Sequence, residues 1–255
     1  MNREQYLRLR QVEDRHWWYL GTRAIARDVL AGLPLARGGL VLDAGCGTGG
    51  NAALLGRFGR VVGLDVAELA LDLARERGLP RLTRASVADL PFGEGTFDLV
   101  TSFEVLYHRA VGDDVGALRE FRRVLRPGGW LLVRLPALGW LRGRHDEAVH
   151  TARRYTRGEL RAKLRRADLE PIRLTYLNSL LLPLAAARRI ADRLGRAEGD
   201  DLGPTPILAT AGFRAALALE RRLLRRCDLP LGVSVMAIAR RAPSGESLHG
   251  MTEFH

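Results

Sequence analysis

A chain of 255 residues, 47% of them hydrophobic, can bury a sizeable core and fits one elaborated α/β domain better than two independent ones. Its 40 basic against 29 acidic residues leave a formal charge of +11, carried almost wholly by arginine because Lys163 is the only lysine; the arginines run from Arg3 to Arg241 among acids, without the aromatic-interleaved basic block of a nucleic-acid channel, which argues against that partner. Cys46 and Cys227 stand far apart, without the pattern of a disulfide framework or a zinc site, and neither a signal peptide nor an apolar run of spanning length is recognisable, so a cytoplasmic protein is expected.

Glu4 to Gly32 reads as two helical segments meeting at His16-Trp17-Trp18-Tyr19. Two adjacent tryptophans are costly to leave in water. The cluster either packs the N-terminal helices on the main body or forms a lid over a cofactor or an apolar substrate wall, which makes Trp18 and Tyr19 candidate substrate contacts. Leu40 to Ala44 is a short apolar run closed by a glycine turn and a helix from about Gly49 to Phe58. Arg60 to Leu64 is a second β-type run ending on Asp65, and Ala67 to Arg77 has helical periodicity, with Leu69, Leu73 and Ala74 on one face. These pieces complete a βαβ unit.

Strands are predicted at Leu82 to Ala85, Phe97 to Phe103 and Trp130 to Leu135, with a helix at Val115 to Leu125 stopped by Pro127-Gly128-Gly129. Such alternation predicts a parallel sheet covered on both faces. Thr156 to Ala167 reads as a helix with a Thr156/Glu159 capping box, followed by a strand at Leu169 to Leu177. Residues 178–227 interrupt the rhythm with two arginine-rich amphipathic stretches around a loop, Gly199 to Pro206, and are expected to form an inserted helical cap. Gly232 to Arg240 alternates enough to predict an antiparallel edge strand. The single domain is thus expected over 1–241, with N-terminal helices in 1–32 and a disordered tail in 242–255.

Gly45-Cys46-Gly47-Thr48-Gly49-Gly50 fits a turn through which backbone approaches a nucleotide-type ligand at a helix N-terminus. Three acids narrow the ligand. Asp43, just before the glycines, suits a cationic or donor end and would be unwelcome beside a pyrophosphate. Asp65, with Val66 after it, ends the second strand where a carboxylate accepts from ribose hydroxyls. Asp89 follows the third strand, where it can accept from an adenine amino group while Leu90 offers an apolar face.

With these residues the chain resembles the class I, Rossmann-like S-adenosylmethionine-dependent methyltransferases. The family's glycine motif is matched by Leu42-Asp43-Ala44-Gly45-Cys46-Gly47-Thr48-Gly49, its ribose acid by Asp65 and its adenine-loop acid by Asp89 with Leu90-Pro91-Phe92. The stretch from Glu120 to Gly129 resembles its helix and turn before the fifth strand. The resemblance implies S-adenosylmethionine as cofactor at Asp43, Gly45, Cys46, Gly47, Thr48, Asp65, Val66, Asp89 and Leu90. It also implies a three-layer α/β sandwich whose seven-stranded, mostly parallel sheet has the order 3-2-1-4-5-7-6 with the last strand antiparallel. An NAD(P)-dependent oxidoreductase shares the glycines and Asp65, but no second nucleotide-binding half or Tyr-x-x-x-Lys arrangement appears. A regulatory protein that binds the cofactor without catalysis is the other alternative.

Methyl transfer from a sulfonium is an in-line displacement, so an enzyme mainly aligns the reactants and excludes water, and a base is needed only where the acceptor must lose a proton. Candidate bases follow the fourth and fifth strands, because ligands sit at the carboxyl ends of parallel strands. They are Tyr107 and His108 in the first segment and His145 and His150 in the second, where Arg153, Arg154 and Tyr155 are candidate substrate contacts. Glu104 is a further cofactor candidate. The reading is a methyltransferase acting on a small molecule, with a hydrophobic or lipid-linked acceptor open and oxygen the first expectation for the accepting atom. No metal is expected; peripheral membrane contact and the choice between monomer and homodimer are open.

Overall fold

The computed structural model describes residues 3–143, 146, 150–194 and 207–243. Within them the chain lays seven strands into one sheet of order β3-β2-β1-β4-β5-β7-β6: β1 (Gly39–Ala44), β2 (Gly59–Asp65), β3 (Leu82–Arg84), β4 (Phe97–Phe103), β5 (Leu125–Pro136), β6 (Leu169–Leu177) and β7 (Ser234–Arg241). The first five run parallel, and β7 is antiparallel to both β5 and β6. This is the Rossmann-like methyltransferase topology.

Helices cover both faces. On one, α5 (Asp114–Val124) and α6 (Arg157–Arg166) bury Leu118, Phe121, Leu160 and Leu164 against Leu42, Val100, Leu131 and Val133. On the other, α2 (Trp17–Ala31) seats Ile25, Val29 and Leu30 against Val41, Leu99 and Leu132. Local chemistry starts these helices where the sequence says they start. His16 Nδ1 accepts from the Trp18 N–H, the Asp113 side chain accepts from Val115 N, and Thr156 and Glu159 form the capping box. The N-terminal segment is two helices, α1 (Arg3–Val12) and α2, with the aromatic cluster at their junction.

Three expectations change. The final strand is not an edge: β7 is hydrogen-bonded on both sides, and Ser234 to Arg240 are buried or nearly so. Its alternation is small against bulky rather than polar against apolar, so periodicity misplaces it. The helix after the glycine turn shortens to α3 (Ala52–Leu55), because Gly56 and Gly59 interrupt it on the way into β2. After β2, α4 (Glu68–Glu76) buries Ala70, Leu71, Leu73 and Ala74, a face turned slightly from the one read in the sequence.

The region expected as a helical cap contains α7 (Leu182–Arg193) and α8 (Ile207–Leu223). Its central loop and residues 244–255 of the expected tail lie outside the described residues. α8 lies along α2: Leu217 fills the space above Gly21, Trp17 and Phe213 rings sit 4.7 Å apart, and Asp28 takes both Arg221 and Arg225 at 2.7 Å. Glu220 is wholly buried, and its carboxylate accepts from the N–H groups of Asn178, Ser179 and Leu180 at 2.6, 2.7 and 3.3 Å. It thus supplies from another helix the acceptors for the turn that leads into α7, whose N-cap Leu181 makes no side-chain bond. Removing it strands those donors in the interior. Glu220→Ala is expected to lower the unfolding free energy by about 3 kcal/mol in urea titration, against about 1 kcal/mol for Asp28→Ala at the more exposed α2–α8 pair.

Candidate functional site

The strand order reverses between β1 and β4, and the crevice outside their carboxyl ends is where an open α/β sheet takes a ligand. The glycine turn sits there. Gly45 and Cys46 donate their N–H groups to Leu64 O, pinning the turn to β2. Gly45 has φ +85°, and a Cβ there would overlap the Val105 side chain. Gly47, at φ +52°, has open space where its Cβ would be, so the backbone itself faces the crevice.

Two acids flank this turn. Asp43, 1% exposed at the end of β1, accepts from Thr101 Oγ1 at 3.1 Å through Oδ1, while its buried Oδ2 meets no donor. Burial, reinforced by the neighbouring Asp65, pushes its pKa up to about 7. A buried carboxylate oxygen without a partner is the expected mark of a site shaped for a donor or cation from outside the chain. Asp65 accepts from Gly47 N at 2.9 Å and Ala67 N at 3.0 Å; burial raises its pKa and these two bonds oppose the rise. Each oxygen keeps a further lone pair for a ligand hydroxyl.

The N-terminal helices reach over the turn through a residue the sequence reading did not single out. Glu13, buried just beyond α1, is hydrogen-bonded by the Thr48 hydroxyl and ion-paired with Arg77 of the α4 C-terminus at 2.6 Å and with Arg23 of α2 at 3.5 Å. Asp14 adds bridges to the same arginines. Gly50 leaves the room, since a Cβ there would collide with Glu13. This strap also sets Tyr6 beside Asp65 and Cys46, and burial with the Asp65 charge raises its phenol pKa well above the ordinary value. The only signal available in the sequence was two adjacent acids, Glu13 and Asp14, in an arginine-rich segment.

On the β4–β5 side the crevice becomes aromatic. Arg134 places its guanidinium over the Trp18 ring (4.9 Å) and the Phe103 ring (5.2 Å) and donates through Nε to Glu104 at 2.9 Å. Glu104 has φ +60°, a strained conformation for a non-glycine residue and one that turns the chain at the mouth of the site. Tyr19 lies between Glu13 and the Arg134–Glu104 pair, its pKa pushed up to about 12 by burial. Tyr107 is half-buried, and desolvation with the Glu104 charge drives its pKa up further. Both phenols therefore hold their protons at neutral pH and can serve as hydrogen-bond donors.

His108 is oriented by a backbone neighbour. Its Nδ1 accepts from Ala110 N at 3.1 Å, so the neutral ring carries its proton on Nε2, which is buried without an acceptor. Burial and the nearby His150, ring to ring at 5.7 Å, lower its pKa and keep it neutral. It offers an N–H rather than a lone pair. His150 is exposed, at φ +56°; His145 lies outside the described residues.

The expected substrate contacts at 153–155 have partners within the fold. Arg153 pairs with Asp114 at 3.0 Å, and Arg154 pairs with buried Asp146 at 2.9 Å and donates to Ala137 O. Tyr155 is in the core, its hydroxyl donating to Asp114 and Leu106 O. The run therefore fastens the loop after β5 to α5 through tertiary partners far away in sequence. At the other end, the loop at Leu90 is held by Glu120, which takes its N–H at 2.9 Å, and by Arg123, which donates to Leu90 O and Phe92 O. This leaves Leu90 buried and the Asp89 and Val66 side chains exposed at the rim.

Residues 42–133, from the end of β1 to the middle of β5, match a family model described as a methyltransferase domain. A 37.1 kDa protein encoded in a transposon of Streptomyces fradiae is 29% identical over 218 residues, covering 79% of this chain and 60% of its own length. A ubiquinone/menaquinone biosynthesis C-methyltransferase of Escherichia coli is 41% identical over 109 residues, covering 38% of this chain and 42% of its own. The chain thus spans less than two thirds of the length of these curated relatives. In fold it is similar to an S-adenosylmethionine-dependent methyltransferase of Thermotoga maritima, with a TM-score of 0.59 at 20% identity over 93% of this chain and 95% of that one. The family-model match over residues 42–133, the sheet order and the acid-flanked glycine turn agree on a Rossmann-like methyltransferase domain that resembles the class I S-adenosylmethionine-dependent enzymes.

Proposed function

We propose that this protein transfers a methyl group from S-adenosylmethionine to a small, hydrophobic acceptor, with oxygen as the accepting atom. The observation that carries the donor half is the unpartnered Oδ2 of Asp43, buried beside a glycine turn that Asp65 closes. When bound, S-adenosylmethionine supplies an electrophilic methyl carbon on a sulfonium. Asp43 would hold the cationic, hydrogen-bond-donating end of the donor and Asp65 its ribose hydroxyls, while Leu90 would floor the adenine with Asp89 at its rim. The backbone of Gly45, Cys46 and Gly47 lets the ligand approach closely, and Thr48, taken up by Glu13, holds the strap shut above it.

The acceptor half rests on the aromatic end of the crevice. Trp18, Phe103, Tyr19 and Tyr107 offer apolar walls with two phenolic donors, a lining suited to a ring or chain bearing an oxygen. Tyr107 and the Nε2–H of His108 would orient that oxygen, and His150 would take its proton. A second reading, carbon as acceptor, is favoured by the likeness to the Escherichia coli C-methyltransferase.

Calorimetry with S-adenosylhomocysteine and NAD tests the donor: micromolar binding of S-adenosylhomocysteine is expected, and binding of NAD alone overturns the reading. Asp43→Asn is expected to weaken S-adenosylhomocysteine at least tenfold. Because the Asp43 pKa is raised to about 7, its carboxyl is largely protonated below that pH, and a ligand needing the carboxylate must release the proton. Affinity should therefore rise as pH increases towards 7 and level off above it, with heats that depend on buffer ionisation, and Asp43→Asn should remove that dependence. The sign for stability is opposite: in the ligand-free protein, stabilisation is full below about pH 4 and is lost as pH rises through 7, a slope that thermal melts should show wild type to have and Asp43→Asn to lack. With methyl-labelled donor and a panel of phenols and alcohols, His150→Ala should lower turnover at least a hundredfold; full turnover would remove His150 from catalysis.

A further inference from the structure

α7 turns its apolar side outward. None of its residues is buried, and its solvent face carries Pro183, Leu184, Ala187, Ile190 and, just beyond the helix, Leu194. Leu184, Ile190 and Leu194 are 54, 58 and 60% exposed, with Leu180 and Trp140 beside them at 42 and 48%. Their three- and four-residue spacing makes one stripe, which from Leu180 to Leu194 runs about 21 Å. The charged residues flank the stripe, with Arg193 on the exposed side. Arg189 is half-buried, donates to Leu141 O at 2.9 Å and pairs with Asp192 at 2.7 Å, while Arg193 donates to Trp140 O at 2.8 Å. Leu182 and Ala185 complete the inward face against the core. A helix that shows leucine and isoleucine to water beside arginines is shaped for a partner with an apolar interior.

The charge says which partner. α7 carries three arginines, Arg188, Arg189 and Arg193, against Asp192, a net of +2, on a chain whose formal charge is +11. Two copies meeting through this face would bring like charges together, whereas an anionic lipid surface complements both the charge and the apolar stripe. Trp140 sits at the rim, where an indole suits the headgroup level. Among the described residues no helix is long and apolar enough to cross a membrane, so contact would lie in the interface plane.

We propose that α7, with Leu180 and Trp140, docks the protein on an anionic lipid surface. The stripe adjoins the 3₁₀ turn Gly139–Leu141, which leaves the carboxyl end of β5, so docking brings the crevice edge of the sheet towards the bilayer. The inference does not depend on the identity of the methyl acceptor.

Cosedimentation with vesicles of phosphatidylglycerol and phosphatidylcholine, against phosphatidylcholine alone, tests it. Binding to the anionic vesicles is expected, weaker in high salt and at least tenfold stronger than to the neutral ones. Leu184→Glu with Ile190→Glu should lower it at least tenfold, and the two alanine substitutions should fall between. Both positions are exposed, and unchanged calorimetric binding of S-adenosylhomocysteine confirms the folded state. Absence of vesicle binding overturns the proposal, as does binding that the substitutions leave unaltered, or a dimer in light scattering that they dissociate. Failure of S-adenosylhomocysteine to bind the wild type would instead overturn the methyl-transfer reading and leave docking standing.

Discussion

The Glu13 carboxylate joins the N-terminal helices to the glycine turn. It lies under the surface between four elements, held by the Thr48 hydroxyl from the glycine turn, Arg77 from the end of α4 and Arg23 from α2, and it sits just past the end of α1. A buried carboxylate is costly without compensation, and two arginines with a hydroxyl supply it. The consequence is geometric. With Glu13 anchored, α1 and α2 cannot swing away from the carboxyl ends of β1 and β2, and Tyr6, Trp18 and Tyr19 are carried into the site together.

The crevice so closed has two chemically different ends. Around β1 and β2 it is acidic and short of donors, with Asp43 and Asp65 both raised in pKa by burial. Around β4 and β5 it is aromatic, and its one buried cation, Arg134, is stacked between rings and tied to Glu104. Protonation states follow from the same desolvation. Phenols that stay protonated and a histidine whose lone pair is taken by Ala110 N make an environment rich in hydrogen-bond donors and poor in bases, which suits a reaction governed by alignment and water exclusion.

The later part of the chain steadies this arrangement from outside. α8 braces α2 through Asp28 and the Trp17–Phe213 contact, and through Glu220 it caps the turn into α7. The loop after β5 is held by Arg153, Arg154 and Tyr155 on Asp114 and Asp146. α7 packs only one side on the body and keeps an apolar stripe in water.

What the sequence determined by itself is what depends on neighbours in the chain: the alternation of strands and helices, the capping box at Thr156, the junction at His16, and the turn at Gly45 to Gly49 with acids at fixed offsets. Those features rest on backbone sterics and on bonds spanning a few residues, and with the family resemblance they sufficed for the fold and the donor. The tertiary structure alone decided the rest. Glu13 reaches Arg77 across 64 residues and Glu220 reaches Asn178 across 42, and such pairs leave no periodic trace. β7 is interior because two strands distant in sequence flank it, and whether His108 is a donor or a base turns on the position of one backbone N–H. Charged and aromatic residues suit binding, stacking or bracing equally well by type, and only the partners met on folding choose among them.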